Sequence, residues 1–287
     1  MKNTNQWNWV AVRASRQARR DSHNLPLPPW QTPRAGKLGL LAFFVFLLGI
    51  LAVAAPFPGS CEQAAADALT ARQQAITTIS ALTAKGNLPE LHQALGKGLE
   101  AGLTVNEEKE VLVHLYAYCG FPRSLQGINT LIKVLDERKA KGIKDVIGKE
   151  ASPVTSTASK YERGKKNLEK LSGKPEPATK TGYAAFSPEI ERFLKEHLFA
   201  DIFERDVLTY QERELVTIAA LVSLGGVEPM LQSHLGIGLH TGLTPAQLQQ
   251  LMAVTETSIG KKEADAGRAV LAKALSTAQP SSAPNQK

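Results

Sequence analysis

The amino-acid sequence predicts an all-α protein made of two tandem copies of one helical unit, preceded by one N-terminal hydrophobic helix. Three observations predict it. Apolar residues recur at three and four through most of the chain. No run of alternating β-branched residues is bounded by hairpin signals. The chain also resembles itself at a spacing of about 140 residues. With 287 residues there is room for one large domain or two small ones, each with a core.

The repeat sets the organisation. Thr78, Ile79, Ser80, Ala81 and Leu82 align with Thr217, Ile218, Ala219, Ala220 and Leu221. After a one-residue gap, Pro89, Leu91, Leu95, Gly96, Gly98 and Leu99 align with Pro229, Leu231, Leu235, Gly236, Gly238 and Leu239. Gly102, Leu103 and Thr104 match Gly242, Leu243 and Thr244, and the same register carries Gly120 onto Gly260 and Gly127 onto Gly267. The first copy, residues 61–140, is predicted to hold helices at 64–84, 88–101, 105–118 and 122–140. At each turn, Gly102 and Gly242 end one helix while Thr104 and Thr244 cap the next, with Pro245 at a first helical position. Residues 141–186, rich in Lys, Ser, Thr, Gly and Pro, predict a solvated connection with one short helix near 160–171. The second copy, residues 187–276, opens with Ser187 and Pro188 as a helix start and an apolar stripe of Ile190, Phe193, Leu194, Leu198 and Ile202. The polar tail, 277–287, predicts disorder.

The net charge of +7 concentrates before residue 38 and between residues 139 and 180, which assigns it to targeting and linker segments. No aromatic-and-basic stripe of the kind that stacks on bases lies within the predicted helices, so no nucleic-acid partner is expected. Residues 1–37 form a basic leader, and Leu38 to Ala55 then run for 18 residues without a charge, enough to cross a bilayer as a helix. Arg13, Arg16, Arg19, Arg20, Arg34 and Lys37 precede that run and Glu62 and Asp67 follow it. The positive-inside bias therefore puts the N-terminus in the cytoplasm and the rest outside. Residues 38–60 then act either as an uncleaved inner-membrane anchor or as a signal peptide cut near Ala52 to Ala55, giving a periplasmic or secreted product. Cys61 is a poor lipidation site, because Pro58 stands where an aliphatic residue is expected, and the pair Arg19 and Arg20 lies far from the apolar run. Cys61 and Cys119 are the only cysteines, which excludes a disulfide framework and a cysteine-rich zinc site. No phosphate-binding loop, nucleotide fingerprint or metal-ligand cluster is present, so no cofactor or metal is expected.

The segment Val111 to Pro122, with Tyr118-Cys119-Gly120-Phe121-Pro122 at its core, resembles the signature helix and turn of the carboxymuconolactone decarboxylase and alkylhydroperoxidase family. The second copy resembles the other half of that pattern in Arg213 to Leu221, Leu224, Gly225, Gly226, Glu228, Leu231 and His234. The resemblance implies an all-helical fold assembled as a trimer or hexamer, with small-molecule sites between helices. In the alkylhydroperoxidase branch a Cys-x-x-Cys pair followed by His reduces peroxides, with an upstream glutamate relaying protons. Glu214 and His234 stand near those acid/base positions, but Gly226 and Pro229 occupy the places of the cysteines, so neither attacking nor resolving thiol is present. The decarboxylase branch lacks the dithiol and has a Tyr-x-Gly-x-Pro turn like that around Cys119. The resemblance therefore implies acid/base chemistry on a cyclic or unsaturated organic acid, with a peroxidase or a non-catalytic scaffold as the competing readings.

Glu110, His114 and Tyr118 recur at spacings of four and share one helix face, either lining a pocket or packing in the core. Cys119 reads as a nucleophile or, more simply, as a small buried residue. His234, on an apolar face, is satisfied internally or opens on a cavity, and Glu214 is a site carboxylate or half of a surface pair with Arg213. Glu228 binds substrate or caps its helix, and Arg123 binds a substrate carboxylate or is solvated. The copies have diverged in complementary ways: Ala75 stands opposite Glu214 and Ala94 opposite His234, while Lys262 replaces the turn proline in the second copy. That pattern predicts one composite site, with His234 and Glu214 from one copy facing His114 and Tyr118 from the other.

Overall fold

The computed structural model describes residues 68–278, which lie within one compact unit. The basic leader, the apolar run 38–60, Cys61 and the tail after Ala278 lie outside the described residues. Among the described residues there is no strand, and no helix is long and apolar enough to cross a membrane.

The first copy folds as α1 (Ala71–Lys85), α2 (Leu88–Glu100) and α3 (Val105–Ala140). Thr70 sets the start of α1: its side chain accepts the Gln73 backbone N–H and the Gln73 side chain accepts that of Thr70. The helix therefore begins at Ala71 rather than at the predicted residue 64. Thr104 and Glu107 repeat this reciprocal cap at the start of α3. The two helices predicted at 105–118 and 122–140 run as one element kinked at Gly120, whose φ of 79° and ψ of 165° lie where only glycine sits without strain. Ser124 Oγ donates to the Leu112 carbonyl at 2.8 Å and ties the two halves across the bend.

In the second copy, α7 (Tyr210–Leu224), α8 (Glu228–His240), α9 (Pro245–Ile259) and α10 (Lys261–Ala278) repeat the pattern. Thr209 with Glu212 and Thr244 with Gln247 supply the reciprocal caps. Gly260 breaks the chain where Gly120 bends it. Packing repeats as well: a Cβ on Gly98 would come within 3.1 Å of Ile79 and Leu103, and one on Gly238 within 3.3 Å of the matching Ile218 and Leu243.

α1 lies along α7, and the pairs α3 with α7 and α9 with α1 exchange when the copies exchange. The two units are thus related by an approximate two-fold axis between α1 and α7. Neither copy closes a core of its own. Leu82, Leu95, Leu112 and Leu115 belong to the same buried cluster as Leu215, Ile218, Leu235 and Leu251, so apolar burial, worth about 25 cal/mol per Å², is shared across the axis.

The connection between the copies is packed, not merely solvated. Residues 146–148 cross the start of α3, where Val105 and Asn106 backbone N–H groups donate to the Val146 and Ile147 carbonyls at 3.0 and 2.9 Å. The Asn106 amide donates to the Gly148 and Lys149 carbonyls at 3.1 and 3.2 Å. Helix α4 (Lys160–Ser172) follows, then α5 (Tyr183–Phe186), α6 (Pro188–Phe193) and a π-helical segment, π1 (Leu194–Ile202). α4 packs so closely on π1 that a Cβ on Gly164 would meet the Lys195 carbonyl oxygen at 1.8 Å. The wider π winding breaks the three-and-four apolar spacing. Leu198 and Ile202 are buried as predicted, whereas Ile190 and Phe193 are 47% and 55% exposed.

One buried group works against this core. Glu108 is fully buried with neither carboxylate oxygen hydrogen-bonded among the described residues, and burial pushes its carboxyl from the ordinary 4.5 up to about 9. Between those values the unfolded chain is ionised while the folded one holds a proton, so stability falls as pH rises through this window and levels off above it. Leu248 occupies the equivalent position in the second copy and is fully buried. Glu108→Leu is therefore expected to stabilise the protein, by on the order of 3 kcal/mol at pH 8 and by far less at pH 4.5. Denaturant melts across that pH range check it, and a gain independent of pH would refute the ionisation argument.

Candidate functional site

Three helices from the two copies converge at one place. The face of α3 that carries Glu110, His114 and Tyr118 packs on the face of α7 that carries Arg213, Glu214 and Thr217, and α8 brings His234 to Glu214. The cluster of Leu171, Leu198, Phe199, Ile202 and Phe203, from α4, π1 and the residue after it, covers this junction, with Tyr116, Tyr118 and Ile237 packed against its underside.

His234 Nδ1 lies 2.9 Å from Glu214 Oε2. The carboxylate is fully buried and the imidazole side chain is 13% exposed. With the Nδ1 proton donated to Glu214, Nε2 remains the uncommitted nitrogen. The other carboxylate oxygen, Glu214 Oε1, is buried without a partner among the described residues. Tyr118 lies between the two imidazoles: its ring stacks on His114 at 5.2 Å and meets His234 edge-on at 5.5 Å. The Tyr118 hydroxyl is also buried; it lies near the Thr217 hydroxyl but has no partner within hydrogen-bond distance among the described residues. Burial, reinforced by the charge of Glu214, raises its pKa far above the ordinary phenol value, so it stays a proton donor at any working pH.

His114 is held differently. Thr217 donates its hydroxyl proton to the Arg213 carbonyl at 2.9 Å, so its oxygen accepts from His114 Nε2–H, also at 2.9 Å. On the other side of the ring, Arg213 Nη1 donates to His114 Nδ1 at 3.1 Å. Both ring nitrogens are committed, and the imidazole is fixed as the neutral Nε2–H tautomer. Burial first, then the charges of Arg213 and His234, push its pKa well below the ordinary value. His114 thus has no free lone pair to take a proton.

Beneath it, Arg213 is 0% exposed. Its Nη2 donates to Glu110 at 2.7 Å, and to the Arg205 carbonyl, while Phe203 lies 5.8 Å from the guanidinium. Arg205 reaches the same carboxylate from the surface side at 2.9 Å. Two guanidiniums, Arg205 and Arg213, balance two carboxylates, Glu110 and Glu214, so protonating His234 leaves the cluster one positive charge in excess.

Three sequence-predicted residues are not part of this cluster. Arg123 is exposed, with its guanidinium against Gly86 at the α1–α2 turn. Glu228 is exposed at the start of α8 and accepts the Gly226 backbone N–H at 3.1 Å. Cys119 donates its thiol to the Leu115 carbonyl at 3.0 Å and packs on the main core. Burial pushes that thiol up to about 11. Only roughly one thiol in 10,000 is then ionised at pH 7. Arg213, by contrast, was read only as a partner of Glu214. Its position four residues before Thr217 on an apolar helix was the signal that it points inward. Among the described residues no group of His, Cys, Asp and Glu could hold a metal ion.

The family model described as the carboxymuconolactone decarboxylase family matches residues 52–131 and 188–273, one match in each copy. The first match begins inside the apolar segment predicted at 38–60. No curated protein matches the chain.

Proposed function

Because the chain belongs to the carboxymuconolactone decarboxylase family, we propose that it is an enzyme that decarboxylates a cyclic or unsaturated organic acid by acid/base chemistry. The observation that supports this reading is the 2.9 Å Glu214–His234 pair with the unpartnered Tyr118 hydroxyl beside it. When the carbon–carboxylate bond breaks, its electron pair enters the conjugated system and charge develops on an oxygen. The Tyr118 hydroxyl, held protonated, is suited to donate to that oxygen. The carbanionic carbon then needs one proton, which the imidazolium of His234 delivers from Nε2 while Glu214 stabilises the cation. The single excess positive charge of the cluster with His234 protonated favours an anionic substrate. In this reading His114 and Arg213 are positioning residues that fix the floor beneath Tyr118.

A thiol peroxidase is disfavoured, because the one cysteine among the described residues is a buried, poorly ionised thiol and Gly226 and Pro229 stand where a dithiol would. The proposal extends to location and assembly: a homo-oligomer whose helical domain lies outside the cytoplasm, either tethered at the membrane by residues 38–60 or released as a periplasmic or secreted product after their cleavage.

The test is turnover of carboxymuconolactone by the full-length chain, followed by carbon dioxide release. Cys119→Ser is expected to leave the rate within about twofold of the parent, since the thiol touches no reacting group. Release that vanishes in Cys119→Ser, together with thiol-dependent peroxide consumption by the parent, would sink the decarboxylase reading.

A further inference from the structure

The approximate two-fold axis creates a second position equivalent to the composite cluster, and the two differ in what fills them. Arg213, Thr217 and His234 correspond to Gln74, Thr78 and Ala94, while His114 and Tyr118 correspond to Val254 and Ser258. Four of the five are replaced by smaller side chains. A hollow of about 630 Å³ opens there, and all five counterpart residues line it. That volume is within the range of small-molecule sites, roughly 300–1,000 Å³.

The wall chemistry defines a ligand. Thr78, Thr257 and Ser258 each donate their hydroxyl proton to a carbonyl of their own helix, at 2.9, 3.1 and 2.8 Å, and so face the hollow as acceptors. Gln74 donates its amide to the Leu69 carbonyl at 2.8 Å, leaving its oxygen to accept. The rim adds the Glu90 carboxylate, the Gln93 amide and the Lys97 ammonium, neither charge being ion-paired among the described residues. An acceptor-rich floor with a carboxylate disfavours an anion, and Lys97 disfavours a cation. No aromatic ring lines the wall on which a flat heterocycle could stack. A neutral molecule with many hydroxyls, each able to donate to the floor and accept from Lys97 or Gln93, satisfies every group.

We infer that this hollow, the emptied counterpart of the His234 cluster, is a binding site for a neutral polyhydroxylated ligand of sugar or polyol size. The inference is independent of the chemistry at His234.

Saturation-transfer NMR on the full-length chain tests it, in an amine-oxide detergent so that no sugar headgroup competes. Sucrose and myo-inositol serve as probes, with putrescine and citrate as charged comparators. At least one neutral probe is expected to bind. Ala94→Leu, which fills the floor, and Gln93→Ala, on the exposed rim, are each expected to weaken it about tenfold, the loss of roughly one hydrogen bond or of the space itself. His234→Ala is expected to leave it unchanged. Absence of binding by both neutral probes, binding of putrescine or citrate alone, or neutral-probe binding that survives Gln93→Ala in a chain with an unaltered melt would overturn the assignment.

Discussion

His234→Ala is expected to lower kcat for decarboxylation by about 10²–10⁴-fold, the usual contribution of a positioned general acid. The expectation follows from the uniqueness of its Nε2. His114 has both nitrogens committed, and Tyr118 is held as a phenol by burial. Neither can therefore carry a proton to a substrate carbon, which leaves Nε2 of His234 for that role. Glu214→Gln keeps an acceptor beside Nδ1 but removes the charge that stabilises the imidazolium, so its loss should be smaller. Steady-state kinetics on the parent, these two variants and Tyr118→Phe decides the matter. If His234→Ala turned over at the parent rate while Tyr118→Phe did not, the proton donor would have to be sought elsewhere.

Arg213→Met carries the largest expected cost in stability, about 3–5 kcal/mol, the range for breaking a buried ion pair from one side. The substitution strands the Glu110 carboxylate, which is 1% exposed, with only the half-exposed Arg205 as a partner, and removes the donor to His114 Nδ1. Arg205→Ala, at the exposed end of the same network, should cost under about 1 kcal/mol. The double variant Glu110→Gln with Arg213→Met should be less damaged than the sum of its parts, because no buried unpaired charge remains and Arg205, left without its partner, reaches solvent. Denaturant midpoints measure all of these. Additive losses would mean that Glu110 and Arg213 are not coupled.

The all-helical class, the repeat register and the reciprocal caps at Thr104 and Thr244 were readable in the sequence because they depend on local chemistry. The start of α1 was not, since the apolar spacing before Thr70 continues the helical pattern and only the cap ends it. The packed connection is not legible in the sequence for a different reason. Its anchors, such as Asn106 on the backbone carbonyls of residues 148 and 149, are long-range hydrogen bonds with no periodicity to reveal them. At the site, complementary divergence of the two copies pointed to Glu214, His234, His114 and Tyr118 meeting, and the geometry brings these four together. Arg123, Glu228 and Cys119 were equally open to a site role in the sequence, but they belong to turns and faces directed elsewhere. Spacing along one helix says which residues share a side; it does not say what that side faces.

The axis between α1 and α7 has a consequence for how such a chain can change. In a symmetric homodimer every substitution strikes both equivalent clefts at once, so neither can be remodelled while the other keeps working. Covalent tandem linkage removes that restraint, because Ala94 and His234 are encoded separately although they occupy matching positions. One position is thereby free to carry small side chains such as Ala94 and Val254 while its twin carries His234 and His114. A tight-binding inhibitor directed at His234 and Glu214 should therefore saturate at one molecule per polypeptide, not two.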